Sequence, residues 1–249
     1  MRKGIIVLVF SLILILSCQG NKNNSSYIKP QIFTNNTNQI FPIIFEGAFS
    51  NGTSVKQDTF DYDFKVIDIG ILNVESGKII ASDPIVMHDR IAFTQDFPIG
   101  RFPVQVAVAK SKNFEVNCFC RINFSNEEVV KWEFALLPGQ KKITLTDSII
   151  YCYSVDASMA LFIDETANKI FNKKTTKEWE SDWENIFVKK SEECNNKAGF
   201  IHTFNNHNFA TFFTGNGDGC YATYIGFDKE NQVCRLLTDF GIIRWWTLK

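Results

Sequence analysis

Four aspartates, Asp156, Asp164, Asp218 and Asp239, and the stretch TGNGDG at 214–219 are the parts of this sequence best suited to chemistry. Carboxylates that converge bind a hard cation through oxygen. Two held close together also split their pKa values and can act as acid and base. Asp156, Asp164 and Asp218 are therefore the candidate catalytic set of an aspartate-based hydrolase, and a divalent cation is the cofactor such a set would take. The candidate binding residues are Asp83, which precedes Pro84, then Gly215, Asn216, Gly217, Asp218 and Gly219, and Asp239. Three glycines permit positive φ without steric cost. Asn216 and Asp218 tolerate the left-handed region and bond neighbouring amides. The stretch is thus a tight turn or a cradle of oxygens. Turn is the plainer reading, because one carboxylate inside the loop falls short of a D-x-[DN]-x-[DN]-G calcium site. Asp83 reads equally as a strand-ending turn, and Asp156 and Asp164 as helix caps or solvated groups.

Other catalytic signatures do not occur. There is no GxSxG, HExxH, GxGxxG or GKS/T stretch, which argues against the common hydrolases, zinc proteases and nucleotide enzymes. Of three histidines, His202 and His207 flank an Asn pair that reads as a turn between two strands. A net charge of −1, with acids and bases interspersed, gives nucleic acid no basic surface to bind. Trp245 and Trp246, close to the last residue, read as closing over a core, with an exposed aromatic patch for a partner or sugar as the alternative.

The elements that must position these residues are mostly strands. FKVIDIGILNV, GKIIAS, RIAFTQDF, FPVQVAVAK, VVKWEFALL, SIIYCYSVD, FATFFT, CYATYIGFD and VCRLLTDFGIIRWW are β-branched and aromatic runs between turn residues. In FEVNCFCRINF the alternation places Phe114, Val116, Cys118, Cys120, Ile122 and Phe124 on one face, leaving Glu115, Asn117, Arg121 and Asn123 on a wet one. Thr175 and Glu178 fit a capping box. It opens a helix with Trp179, Trp183, Ile186 and Phe187 on one stripe, ended by Asn195, Asn196 and Gly199. A shorter helix or turn is expected over residues 157–167. The fold class is α+β and β-rich, mainly antiparallel, with one or two helices covering a sheet.

The chain opens with Arg2, Lys3 and an apolar run, Gly4–Leu16, too short for a comfortable membrane span. It ends at ILSC, residues 15–18. This resembles a bacterial lipoprotein signal, which implies cleavage before Cys18 and a lipid such as palmitate on its thiol. Residues 18–39, rich in Asn, Ser and Lys, read as a flexible tether of about 25 Å root-mean-square span. The organisation expected is a signal peptide over 1–17, a lipidated tether over 18–39 and one globular domain over 40–249. The localisation expected is the bacterial cell envelope, with the membrane as partner through Cys18. Six further cysteines, Cys118, Cys120, Cys152, Cys194, Cys220 and Cys234, permit disulfides in an exported chain. At most one or two are expected, the rest being small buried residues. Their connectivity does not follow from spacing.

Several separate stretches then occur in a telling order: ASDPIV at 81–86, PIGRFPVQVAVA at 98–109, WEFAL at 132–136, YSVDASMALFID at 153–164, TGNGDGCYATYIGFD at 214–228 and LTDFG at 237–241. Together they resemble the family known as domain of unknown function 4241, over roughly residues 70–240. The family favours serine-glycine-tryptophan where this chain has Thr214, Gly215 and Asn216. It favours glycines where Ser158, Met159 and Ala160 stand. The resemblance implies no activity. Two functions are expected to compete: a lipid-anchored binding module with a protein partner, immunity-like as one sub-case, and the hydrolase described above.

Overall fold

The computed structural model describes residues 41–194 and 198–248. The expected signal peptide, Cys18 and the expected tether lie outside the described residues, as do Asn195 and Asn196, while Gly199, expected with them to end the helix, opens a strand.

Twelve strands run in chain order among them: β1 (Ser54–Gln57), β2 (Phe60–Val74), β3 (Ile79–Ser82), β4 (Gly100–Ser111), β5 (Phe114–Asn123), β6 (Lys131–Phe134), β7 (Tyr153–Val155), β8 (Met159–Asp164), β9 (Gly199–Phe204), β10 (His207–Phe213), β11 (Gly219–Phe227) and β12 (Val233–Asp239). They build two antiparallel sheets. The large one has the order β1-β2-β4-β5-β12-β11-β6, with β7 also pairing β11; the small one has the order β3-β8-β10-β9. The helices are short: α1 (Ile44–Gly47), α2 (Glu165–Phe171) and α3 (Thr176–Asp182), the last continuing through a π-helical turn (Trp183–Val188) into α4 (Lys189–Glu192). The chain is β-rich α+β, as its strand propensities imply.

Three apolar clusters stack the layers. Between the sheets, Leu72, Val104, Val106, Ile122 and Leu236 meet Phe162, Ala210 and Phe212. Behind the small sheet, Leu161, Ile163 and Phe209 meet Ala167 and Phe171 of α2 and Ile186 and Phe187 of the π-helical turn. On the outer face of the large sheet, Phe45 of α1 lies against Phe119, Trp132, Tyr224 and Trp245, with ring centroids 4.9–5.5 Å apart. Both sheets are thus covered on both faces. Trp245 closes over this outer core and is 6% exposed.

Local signals produced local structure where expected. Thr175 and Glu178 form the reciprocal capping box of α3. Asn205 and Asn206 both adopt positive φ and turn the β9–β10 hairpin. Other expectations are corrected. Residues 157–167 form strand β8 before the chain turns into α2 at Glu165. β8 is central in its sheet and buried along its whole length, and that burial overrides any helical spacing. RIAFTQDF is not a strand. Phe93 and Phe97 are buried there, yet Phe93 N–H donates to Ile79, Thr94 to Leu136 and Phe97 to Gly77. Its hydrogen bonds are split between two segments, residues 77–79 and Leu136, so no ladder forms.

β5 departs from strict alternation. Its register with β4 passes from Ala107↔Phe119 to Val108↔Asn117, leaving Cys118 as an extra residue. The bulge reverses the faces. Cys118 joins the outer cluster and Cys120 the inter-sheet cluster, so the two do not share a face. Nor is the second face wet: Phe119 is fully buried and Arg121 nearly so, beneath α1. Cys118, Cys120 and Cys234 are buried thiols, with burial pushing each pKa up.

Candidate functional site

The glycine-rich loop joins β10 to β11 at one end of the sandwich, beside the segments that follow β3 and precede β8. Its geometry is that of a turn. Gly217 N–H donates to Thr214 O at 3.1 Å, Gly217 adopts φ +77°, and Thr214 Oγ1 and Tyr221 OH both donate to Gly217 O. Gly215 serves a different need. A Cβ there would stand 1.9 Å from the Asn117 carbonyl oxygen on β5, so the loop can lie on the large sheet only without a side chain. Gly219 faces the Tyr221 ring, where a Cβ would stand a tight 3.2 Å from the ring and its hydroxyl.

The aspartates bind backbone. Asp83 is 1% exposed. Its Oδ1 accepts from Ile85 N–H at 2.6 Å and starts a 3-10 helix (Pro84–Asp89). Its Oδ2 accepts from Asp156 and Ala157 N–H at 2.6 and 2.8 Å. Asp218 Oδ1 accepts from Ser158 N–H at 3.0 Å and Oγ at 2.9 Å. Ser158 holds φ +53°, at the position where the resembling family favours glycine. Asn216 Nδ2 donates to Phe240 O at 3.3 Å, and Thr214 N–H to Ser158 O at 3.2 Å. Asp83, Asp156 and Asp218 are therefore brought to one end, and Asp156 itself is exposed there.

Asp164 is not with them. It caps α2 through Thr166 N–H at 2.8 Å, while its other oxygen accepts from Glu75 N–H, Ser76 N–H and Ser76 Oγ. It closes β8, whose start adjoins Ser158, so six residues at about 3.3 Å each separate it from the glycine loop by roughly 20 Å. Asp239, on β12, accepts from Gly241 N–H at 2.8 Å and Trp245 Nε1 at 2.9 Å. Burial pushes its carboxyl up to about 7, against the lowering effect of those two donors. Among the described residues no group of three His, Cys, Asp or Glu side chains is placed to hold a metal. Carboxylates saturated by amide donors order loops; they present few free lone pairs to a ligand.

Two features of the neighbourhood escaped the sequence. The first is the pairing of the disulfide that the cysteines permitted, Cys152–Cys220, which joins β7's approach to the start of β11, next to the glycine loop. The second is a buried ion cluster under α1. Glu46 Oε1 accepts from Arg121 Nη1 at 3.2 Å and Arg235 Nε at 3.1 Å, and its Oε2 from Arg235 Nη2 at 3.1 Å. Gln105 Oε1 accepts twice more from Arg121. Burial lowers the Arg121 pKa to about 10, opposed by Glu46. The guanidinium also lies 3.9 Å from the Phe49 ring centroid. The histidines stay apart from this end: His202 pairs across the hairpin with Phe209, and His207 meets Glu75 at 2.6 Å.

The chain belongs to the family described as protein of unknown function, DUF4241, whose model matches residues 72–238. That span runs from Leu72, within β2, to Thr238, within β12. It takes in Asp83, Asp156, Asp164 and the whole glycine loop, and stops one residue short of Asp239. No curated protein and no solved structure is significantly similar to the chain.

Proposed function

We propose that this protein is a binding module of the bacterial cell envelope, carried on a lipid at Cys18, which takes a protein partner at the glycine-loop end of its sandwich. One observation carries the reading: the segments around Asp83, Asp156, Ser158, Gly215 and Asp218 interlock at that end through side chains that accept from one another's backbone. The result is a set of loops held rigid on a sheet scaffold, the usual way a β-sandwich presents a recognition surface. Asp156, Asn216 and Asp218 stay exposed on it, so the complementary partner surface is polar and basic. The disulfide beside the loop supports export, since such bonds persist in oxidising compartments.

The test is made in the producing cells. A photo-crosslinking side chain at Asn216 yields one discrete protein adduct, and the same group at Lys173, after α2, yields none. Labelled palmitate enters the protein and is lost with Cys18→Ala. Equal crosslinking at both positions overturns the binding face, and palmitate retained in Cys18→Ala overturns the anchor.

A further inference from the structure

We propose that the outer layer of the large sheet is a membrane-contact surface, which lies against anionic phospholipid headgroups. The inference rests on the envelope reading above and deepens it by assigning the face turned to the bilayer.

Two elements make this layer, and both are held firmly. α1 is fixed by Phe45 in its aromatic cage and by Glu46 between two arginines. The connection from β6 to β7, residues 135–152, is fixed by Ile143, Leu145 and Tyr151 against the outer core. The Phe134–Tyr151 ring contact at 6.1 Å and the Cys152–Cys220 bond hold it further. Yet these same elements leave large apolar side chains in solvent: Ile43 is 55% exposed, Ile149 57% and Ile150 52%. Phe41 is exposed beside them, where the described chain begins. Lysines accompany them. Lys141 and Lys142 are exposed on the β6–β7 connection, and Lys56 is exposed beside Ile43 on the rim of a groove of about 280 Å³. Of the nearby acids, Asp147 accepts from Thr144 N–H at 2.6 Å, Glu133 accepts from Lys142 Nζ at 2.7 Å, and Asp61 stands opposite Lys56 across the β1–β2 pair.

Exposed aliphatic residues flanked by lysines on a rigid surface suit an interface in which the aliphatics enter the acyl boundary and the lysines reach phosphate. A membrane is favoured over a protein by what precedes Phe41: the forty residues that hold the apolar run and Cys18 join the fold at this layer. A tether leaving from here brings this face, and not the helices behind the small sheet, against the bilayer.

The chain from residue 18 onward, carrying Cys18→Ser and so without the apolar run or the lipid, is sedimented with phosphatidylglycerol and with phosphatidylcholine vesicles. Binding is expected to the anionic vesicles. Lys141→Gln with Lys142→Gln weakens it roughly five- to twenty-five-fold, at about five-fold per lysine and less for Lys142, which also pairs with Glu133. Ile149→Gln with Ile150→Gln weakens it by at least ten-fold, and Lys173→Gln, on the exposed turn after α2, leaves it unchanged. Melting curves confirm that each variant keeps its fold. Binding that ignores the four face substitutions, or equals that to phosphatidylcholine, overturns the proposal while leaving palmitate labelling of Cys18 untouched. Labelling that fails while the face substitutions still matter overturns the anchor alone.

Discussion

Reducing Cys152–Cys220 tests the framework around the glycine loop most directly. The bond closes a separation of 68 residues. In the chain-entropy relation, a loop of that length removes about 15 cal/mol/K from the unfolded chain, or about 4 kcal/mol at 25 °C. The native geometry is undisturbed by reduction, because β7 pairs with β11 through Gly219↔Val155, Cys220↔Ser154 and Tyr221↔Tyr153, and Tyr151 stays packed on the outer core. Most of the effect therefore falls on the unfolded state. With a urea dependence of about 2 kcal/mol/M, the unfolding midpoint drops by about 2 M on adding a phosphine reductant. The Cys152→Ser, Cys220→Ser double variant reproduces the drop and no longer responds to reductant. Equilibrium urea unfolding followed by tryptophan fluorescence reads the shift, with thiol titration in denaturant confirming the redox state. A midpoint that stays put while two further thiols titrate would falsify the reasoning.

Four further outcomes are expected. The Asp239 carboxyl, raised by burial to about 7 from the ordinary value near 4, favours the protonated fold. Stability is full below pH 4 and declines by about 4 kcal/mol as pH rises through 7, a dependence that Asp239→Asn flattens in urea midpoints at pH 5 and 8. Glu46→Ala leaves Arg121 and Arg235 as uncompensated buried charges, which costs about 3–5 kcal/mol by urea unfolding. Gly215→Ala drives a methyl into the Asn117 carbonyl and destabilises by about 3 kcal/mol or prevents folding, while Gly47→Ala, with 3.5 Å of room, melts like the parent. Asp218→Ala removes two hydrogen bonds to Ser158 and lowers stability by about 2 kcal/mol in chelator and in millimolar calcium, magnesium, manganese or zinc alike. A melting rise specific to one metal and abolished by that substitution would restore the cation site.

What the sequence disclosed was local. The Thr175–Glu178 box, the Asn205–Asn206 turn and the glycine loop each involve residues within a few positions of one another, where chain geometry alone decides the outcome. What it hid was distant. Arg121 looks like a solvated residue on an alternating strand, because the helix that buries it comes from Glu46 and the second arginine from β12. The bulge at Cys118 is visible only as register against β4, and the Cys152–Cys220 pairing only once β7 lies beside β11. The aspartates show both sides. The set expected to converge was Asp156, Asp164, Asp218 and Asp239, yet Asp83 joins Asp156 and Asp218 while Asp164 caps α2; the partners of Asp83 and Asp218 are amides supplied by other segments, so their use as loop clamps left no local signature.

The contact between Phe45 and Trp245 bears on how the molecule comes to be folded. These rings stand near opposite ends of the sequence, and Trp245 also donates to Asp239 on β12. The outer core cannot close until nearly the last residues have emerged, whether from a ribosome or through an export channel. Until then Phe45, Phe119 and Trp132 are left uncovered on a chain rich in unpaired strands, the condition in which association with other chains competes with folding. Loss of only the final few residues would accordingly strike first at the far side of the sequence, in helix α1, where the described chain begins.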